Sequence, residues 1–154
     1  MLDHVAISSG RAGRRVHLWH GLAWVGLCLC LATHIADESL AGRSKLYSPA
    51  ALALGRHVPW PQPPDFAPEV WLTLAVEAVI VLLMLAPFVF YGARWAAALS
   101  YPFAVVAFFY GLSHPAGSLY FSTAVPGLYT SPLLLAGAPL LLLTFHRVQA
   151  SERS

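Results

Sequence analysis

Residues 16–38 read VHLWHGLAWVGLCLCLATHIADE, an apolar stretch in which no Asp, Glu, Lys or Arg occurs until two carboxylates close it. About 20 such residues are enough to cross the ~30 Å hydrocarbon core of a bilayer as one helix. The stretch ends with His34, Asp37 and Glu38, which are costly to place at a membrane boundary. We therefore expect a transmembrane helix that carries functional side chains at one end.

The composition of the whole chain is that of an integral membrane protein. Of its 154 residues, 58% are hydrophobic and only 10% are charged, whereas soluble domains carry roughly 25% charged residues. Four apolar spans are predicted, at about residues 16–38, 69–91, 95–114 and 129–147. These spans leave no room for a second domain, so we expect residues 1–154 to form one all-α, four-helix transmembrane bundle.

The distribution of basic residues predicts the orientation of this bundle. With the N-terminus inside, six Arg residues flank the cytoplasmic ends of the spans, and Arg43, Lys45 and Arg56 lie on the other side. Because cytoplasmic flanks carry the excess of Lys and Arg, both termini are expected in the cytoplasm. The net charge of +2 is small and dispersed, and it gives no indication of nucleic-acid binding.

The segments outside the spans are expected to be irregular. Residues 1–13 form a polar tail that we expect to be loosely ordered. The loop between the first two spans holds a predicted short helix, residues 49–56, and then four prolines within residues 59–64, which exclude a helix there. This proline-rich piece can be a lid over the bundle or a rigid connector, and the sequence leaves both open.

Five ionisable residues are the candidate site. His34, Asp37 and Glu38 share one face of the first helix because residues three and four apart point the same way. Glu77 lies eight residues, or about 12 Å, into the second span, and His114 ends the third. This topology brings all five to one half of the membrane, expected to be the outer half, and ionisable residues at such depths usually face the bundle interior.

Tyr110 and Gly111 lie near His114 on the third span. Tyr110 belongs to the same helical stripe and can form a hydrogen bond in the same cavity, so we take it as a cofactor-binding candidate. Gly111 has no side chain and therefore allows a second helix to approach closely.

The chemistry of the candidate site has three interpretations. His34, Asp37, Glu38, Glu77 and His114 supply nitrogen and oxygen ligands suited to a divalent transition metal such as zinc, iron or manganese. As catalytic residues, the same five can perform acid–base chemistry without a metal, because His exchanges protons near neutral pH. Relay of protons or ions is the third use, and it is common for ionisable residues inside membranes.

Other reactive side chains are given no role in the site. His17 and His20 lie some 20 Å along the helix from His34. Ser113 and Ser131 are conceivable nucleophiles, but no nucleophile-elbow pattern surrounds either of them. The two cysteines, Cys28 and Cys30, are two residues apart on one helix and cannot pair, so they are interpreted as packing residues.

Several short motifs together resemble a known family. They are His34-x-x-Asp37-Glu38, His114, and the later segments Ser118-Leu119-Tyr120, Pro126-Gly127-Leu128-Tyr129 and Ser131-Pro132. In number of helices and order of motifs the chain resembles the small bacterial membrane proteins named for an H-x-x-E-E motif. The resemblance implies a multi-pass protein of the bacterial inner membrane with a site at His34, Asp37, Glu38, His114 and the Pro126–Gly127 turn, and it implies no established activity.

The chain departs from the family pattern at two places. Asp37 stands where the family has the first Glu, which keeps the charge but shortens the side chain by one methylene group. The family tends to have an Asn shortly before the second His, and Tyr110 and Gly111 occupy that region here.

The leading functional hypothesis is an enzyme that acts on a lipophilic substrate reaching the site from the bilayer. The alternatives are a metal-ion or proton-coupled binding or transport protein, and a small accessory subunit of a membrane complex. Transport requires a polar path through both halves of the membrane. The inner half offers only His17 and His20, so the sequence favours an enzyme, while substrate and oligomeric state are not indicated.

Overall fold

The computed structural model describes residues 2–40 and 68–153, with side chains described for residues 14–40 and 69–153. The described residues form five helical segments, namely α1 (Leu2–Leu40), α2 (Pro68–Phe90), α3 (Arg94–Ala98), α4 (Ser100–Phe121) and α5 (Ser131–Arg153). Because α3 and α4 make one continuous span, four helices are long and apolar enough to cross a membrane. The predicted all-α, four-helix transmembrane bundle is therefore confirmed.

Two predicted boundaries are wrong. The helix α1 begins at Leu2, although residues 1–13 were expected to form a loosely ordered tail. Residues 2–13 contain no proline, so the helix that starts the bundle can extend through them.

The third span continues to Phe121 rather than ending at His114, because Pro115 is accommodated inside α4. The predicted helix 49–56 and the proline-rich residues 59–64 lie outside the described residues.

The bundle is organised around α5, which packs against both α1 and α4. The core consists of apolar residues from these three helices together with α2, and it includes Trp24, Leu27, Phe103, Leu134 and Leu141. Burial on α1 is one-sided, since His20, Leu27 and His34 are buried whereas Leu18 and Leu29 are exposed.

Gly111 allows the close contact between α4 and α5. A Cβ atom at this position would lie 2.9 Å from the Cβ atom of Leu134 and 3.2 Å from the carbonyl oxygen of Ser131. The predicted role of Gly111 in close helix approach is therefore confirmed.

The helix α2 lies at the edge of the bundle, where it packs against α1. Its buried residues Val79, Ala86 and Val89 face the other helices. The indole nitrogen of Trp24 donates a hydrogen bond of 2.8 Å to the carbonyl oxygen of Leu82 and so links α1 to α2.

A short interruption separates α3 from α4 at Leu99. Pro102 has no N–H group with which to bond the carbonyl of Ala98, and its ring crowds that carbonyl. The helical pattern therefore stops at Ala98 and starts again at Ser100, as expected for a proline inside a span. Ser100, the first residue after the interruption, is buried and forms a hydrogen bond with His20 of α1.

Candidate metal centre

Three buried side chains meet at the end of the bundle where α1 stops. His34 and Glu38 are one turn apart on α1, and His114 projects from α4. Each contributes one ligand atom, and these atoms all lie within 4.8 Å of one another. The exposed fractions of the three residues are 0%, 0% and 1%. The sequence prediction that α1 and the third span bring His34, Glu38 and His114 together is confirmed.

The Nε2 atoms of the two histidines lie side by side in this cluster. The Nε2 atom of His34 lies 2.9 Å from the Nε2 atom of His114. The same atom of His114 lies 3.3 Å from Oε1 of Glu38. Two imidazole nitrogens and one carboxylate oxygen therefore face a common point.

The hydrogen-bond partner of His114 fixes which ring nitrogen carries its proton. The Nδ1 atom lies 2.7 Å from the carbonyl oxygen of Pro126. A carbonyl oxygen only accepts hydrogen bonds, so Nδ1 must be the donor. In the neutral ring, the Nε2 atom then presents a lone pair toward His34.

The partner of His34 leads to the same conclusion. Its Nδ1 atom lies 2.8 Å from the hydroxyl of Thr130, and that hydroxyl donates a hydrogen bond of 2.9 Å to Oδ2 of Asp37. Because the only proton of the hydroxyl is directed to the carboxylate, Thr130 accepts from Nδ1–H of His34. The Nε2 atom of a neutral His34 thus carries a lone pair as well.

Two lone pairs that face each other at 2.9 Å repel unless a cation lies between or beside them. That cation is either a metal ion bound by both nitrogens or a proton shared by the two rings. The arrangement around the rings is typical of metal-ligating histidines, whose second nitrogen usually donates to a carbonyl or carboxylate that orients the ring. The Nδ1 atom of His114 donates to a carbonyl oxygen. The Nδ1 atom of His34 donates to a hydroxyl that is itself hydrogen-bonded to a carboxylate.

Tyr110 orients Glu38. Its hydroxyl donates a hydrogen bond to Oε2 of Glu38, while Oε1 of the same carboxylate faces His114. The phenol ring packs edge to face against His34, with ring centres 4.9 Å apart. Tyr110 therefore lies in the site, as predicted, and its contact is with the carboxylate.

The turn between α4 and α5 covers both imidazole rings. Gly127 has φ +83°, a conformation that residues with a side chain rarely adopt. A Cβ atom on Gly127 would lie 2.8 Å from Cε1 of His34 and 2.9 Å from Cε1 and Nδ1 of His114. Glycine is therefore required here, and Pro126 beside it supplies the carbonyl that binds His114.

Two of the five predicted site residues occupy different positions from those expected. Asp37 is half-buried and reaches the cluster through Thr130, so it orients His34 and is not one of the three converging ligands. Glu77 is exposed on α2, which corrects the expectation that it faces the site. It lies about 180–200° around the helix from Val79 and Ala86, the residues that face the bundle.

A second buried polar group, to which no role was predicted from the sequence, lies near the other end of the bundle. The Nδ1 atom of His20 lies 3.0 Å from the hydroxyl of Thr144, which donates to the carbonyl of Leu141. Because the Thr144 hydroxyl directs its own proton to Leu141, it accepts a hydrogen bond from Nδ1–H of His20. The Nε2 atom of His20 therefore accepts a hydrogen bond of 3.1 Å from the hydroxyl of Ser100. This network joins α1, α4 and α5. A signal was present in the sequence, since His20 and His34 are fourteen residues, or about four turns, apart and so lie on one face of α1.

The two serines considered as nucleophiles do not contact a histidine within the described residues. Ser113 donates to the carbonyl of Tyr110, and Ser131 donates to the carbonyl of Leu128. Nothing in the structure supports their use in Ser–His catalysis.

An apolar layer separates the two polar groups. His20 and His34 are fourteen residues apart, or about 21 Å along α1. Between them lie buried residues of three helices, among them Trp24, Leu27, Cys28, Ala138 and Leu134. The described side chains therefore do not form a continuous polar path from one end of the bundle to the other.

Comparisons of this chain with protein-family models, with curated proteins and with solved structures find no match. The resemblance to the H-x-x-E-E proteins therefore stays a prediction that rests on the motif residues. Several of these residues, His34, Glu38, His114, Pro126 and Gly127, lie in or against the buried cluster.

Proposed function

We propose that this protein is a membrane-embedded enzyme that uses a divalent transition metal, held by His34, Glu38 and His114, to act on a lipophilic substrate. The observation that carries the proposal is the pair of facing Nε2 atoms, each left with a lone pair by the partner of its Nδ1 atom. A bound cation relieves that repulsion, and Glu38 supplies the negative charge that such a cation requires.

The residues present fit a metal of this class. Two nitrogens that each lie about 2.1 Å from an ion are about 3.0 Å apart at the ~90° angle of octahedral coordination and about 3.4 Å apart at the tetrahedral angle. The observed separation of 2.9 Å is close to the octahedral value. Imidazole and carboxylate ligands favour zinc, iron or manganese over calcium or magnesium. Three protein ligands are also the number typical of catalytic zinc sites, in which the fourth position binds water or substrate.

Each remaining residue of the site has a role in this proposal. A metal at the centre would polarise a substrate oxygen or activate a water molecule. Tyr110 holds one oxygen of Glu38, so that the other stays directed at His114. Asp37 and Thr130 hold the ring of His34, and the Pro126 carbonyl holds the ring of His114. These contacts keep the ligands in place before the metal binds.

Substrate entry is assigned to the side of the bundle where the turn of residues 122–130 covers the rings. This turn contacts both histidines through Pro126 and Gly127, and it lies at the end of the apolar spans. A site at this depth is within reach of a molecule dissolved in the bilayer. This position supports a lipophilic class of substrate.

The orientation belongs to the same proposal. The arginines whose side chains are described all lie at the end of the bundle opposite the metal centre, and they are Arg14, Arg15, Arg94, Arg147 and Arg153. The excess of basic residues favours a cytoplasmic position for that end. Both termini are then cytoplasmic, and the metal centre lies in the outer half of the membrane. A bacterial inner membrane is proposed from the H-x-x-E-E motif.

Transport is the weaker alternative. It requires polar groups through the whole thickness of the membrane, and the layer around Trp24 and Leu27 is apolar.

In the metal-free alternative, one proton is shared by His34 and His114, and Glu38 balances its charge. That arrangement retains acid–base chemistry at the same residues.

The proposed activity is tested with the purified chain in mixed micelles that contain a total lipid extract. Mass spectrometry before and after incubation with added zinc, iron or manganese should reveal a lipid that is consumed by the wild type. The variant Glu38→Gln should not consume it, since the amide removes the charge while keeping the size. An exposed control, His146→Ala, should retain full turnover. If no lipid is consumed by a metal-loaded wild-type protein, the enzymatic proposal fails.

A further inference from the structure

The metal centre is closed off from its surroundings. The exposed fractions of His34, Glu38 and His114 are 0%, 0% and 1%. A metal ion or a substrate therefore reaches the facing Nε2 atoms only after some part of the protein has moved. The contacts around the centre indicate which part moves.

The helices around the centre are fixed by their packing. Gly111 lets α4 and α5 approach so closely that a Cβ atom there would lie 2.9 Å from the Cβ atom of Leu134. The buried residues Leu27 and Leu141 hold α1 and α5 in one apolar core. Movement of a whole helix would expose this core to water or lipid. Among the described residues, the non-helical turn of residues 122–130 is therefore the cover that opens at the lowest cost.

On the side of α5 this turn is firmly attached. The backbone nitrogen of Ser131 donates a hydrogen bond of 2.9 Å to the carbonyl oxygen of Gly127. The hydroxyl of Ser131 donates a second one, of 2.8 Å, to the carbonyl oxygen of Leu128. Thr130 donates to Asp37 over 2.9 Å. Residues 127–130 are thereby joined to both α5 and α1.

On the side of α4 the attachments are longer. The backbone nitrogen of Val125 donates to the hydroxyl of Ser118 over 3.2 Å, and that of Thr123 donates to the carbonyl of Ser118, also over 3.2 Å. The side chains of residues 122–124 are exposed. Because these hydrogen bonds lie at the long end of the usual range, this half of the turn detaches more easily than the other.

We propose that residues 122–126 form a lid over the metal centre, which detaches from Ser118 and swings about Gly127. Glycine tolerates large changes of its backbone angles because it has no Cβ atom. The movement carries the carbonyl oxygen of Pro126 away from the Nδ1 atom of His114, which it contacts over 2.7 Å when the lid is closed. Both imidazole rings then become accessible.

The open lid admits the metal ion and the lipophilic substrate, and in that respect it rests on the proposed function. The movement itself requires no metal, so it can be measured on metal-free protein. The lid also gives a role to the Ser118-Leu119-Tyr120 motif, whose first residue holds the lid closed.

A disulfide that locks the lid tests the proposal. A Cβ atom on residue 117 would lie 3.9 Å from both γ carbons of Val125, so Gly117→Cys and Val125→Cys together place two thiols within reach of each other. The pair is made in a background of Cys28→Ala and Cys30→Ala, which removes the two native thiols. The reduced form of the same variant is the matched control.

The readout is the rate at which diethyl pyrocarbonate modifies His34 and His114 in the metal-free protein, followed by mass spectrometry. This reagent reacts with the free lone pair of a neutral imidazole. Both rings should react about tenfold more slowly, or slower still, in the oxidised form than in the reduced form, because the disulfide removes the open state. The exposed His146 is the internal control and should react equally fast in both forms.

The part played by Ser118 is tested without a disulfide. Ser118→Ala removes the acceptor of the Val125 N–H group and should speed the modification of His114. Ser113→Ala, which removes an exposed hydroxyl of the same helix, should not change it. Two results would overturn the proposal: equal rates in the oxidised and reduced forms, or no modification of His34 and His114 in either form after His146 has reacted fully.

Removal of bound metal by a chelator separates the lid from the proposed function. In metal-loaded protein, the disulfide should slow this removal by a factor similar to that for modification, and equal rates in the two forms would contradict the lid. A protein that takes up no metal, yet shows the expected modification rates, would refute the metal centre and support the lid.

Discussion

The Nε2 atoms of His34 and His114 face each other at 2.9 Å, while the Nδ1 atom of each ring is already engaged as a donor. Those donor contacts go to Thr130 and to the Pro126 carbonyl. The two rings are therefore held with the lone pairs of their Nε2 atoms facing each other, and these lone pairs repel in the absence of a cation. This geometry costs stability unless the protein binds a metal ion or shares a proton at this point.

The first prediction concerns Gly127, whose Cα atom lies against both imidazole rings. Gly127→Ala should place a methyl group less than 3 Å from each ring and strain a backbone with φ +83°. Overpacking of this kind costs about 1–3 kcal/mol, so we expect weaker metal binding and lower stability. Competition with a chelator measures the affinity. Gly117→Ala is the control, because its nearest neighbour would be 3.9 Å away; equal effects of both substitutions would contradict the role of Gly127.

The second prediction concerns the hydroxyl of Tyr110. Tyr110→Phe keeps the ring that packs on His34 and removes the hydrogen bond to Glu38. Loss of a group that orients a ligand typically lowers metal affinity about 10–100-fold, and we expect a loss of that size in a metal titration. Ser113→Ala, a nearby exposed hydroxyl on the same helix, should leave the affinity unchanged.

The third prediction concerns the chain of hydrogen bonds from Asp37 through Thr130 to His34. Thr130→Val and Asp37→Ala should each weaken metal binding, because either change loosens the ring of His34. Since the two residues act in series, the double variant should be about as impaired as Thr130→Val alone. Additive losses in this double-mutant cycle would show that Asp37 acts on the metal by a separate route.

The fold could be predicted from the sequence almost completely. Runs of apolar residues of membrane-spanning length identify all four helices, and the spacing of His34 and Glu38 puts them on one face. His114 could be placed beside them because alternate helices of a bundle run in the same direction. The prediction of the cluster therefore depended on the spacing of residues along α1 and on the order and direction of the spans.

The exposed position of Glu77 on α2 could not be predicted in the same way. The helix α2 is aliphatic on every side, so its sequence does not distinguish the face toward the bundle from the face toward lipid. The role of Asp37 was missed for another reason. It depends on Thr130, which lies in a turn whose path is set by Gly127 and not by helical periodicity.

The fourth prediction separates the network around His20 from the metal centre. Thr144→Val removes the acceptor of Nδ1–H of His20 while keeping the shape of the side chain. A buried donor left without a partner costs about 1–3 kcal/mol, so thermal unfolding in detergent should occur at a lower temperature. Metal content should not change, because the two polar groups are separated by the apolar layer. A variant of normal stability that lacks metal would contradict this division.

The central claim is tested most directly by the metal content of the purified, detergent-solubilised protein. Elemental analysis after exposure to zinc, iron and manganese should give about one transition-metal ion per chain for the wild type. His34→Ala and His114→Ala should each abolish this content, and His146→Ala should retain it, because that histidine is exposed. A folded wild-type protein that takes up none of these metals, or equal metal content in His34→Ala and the wild type, would contradict the account.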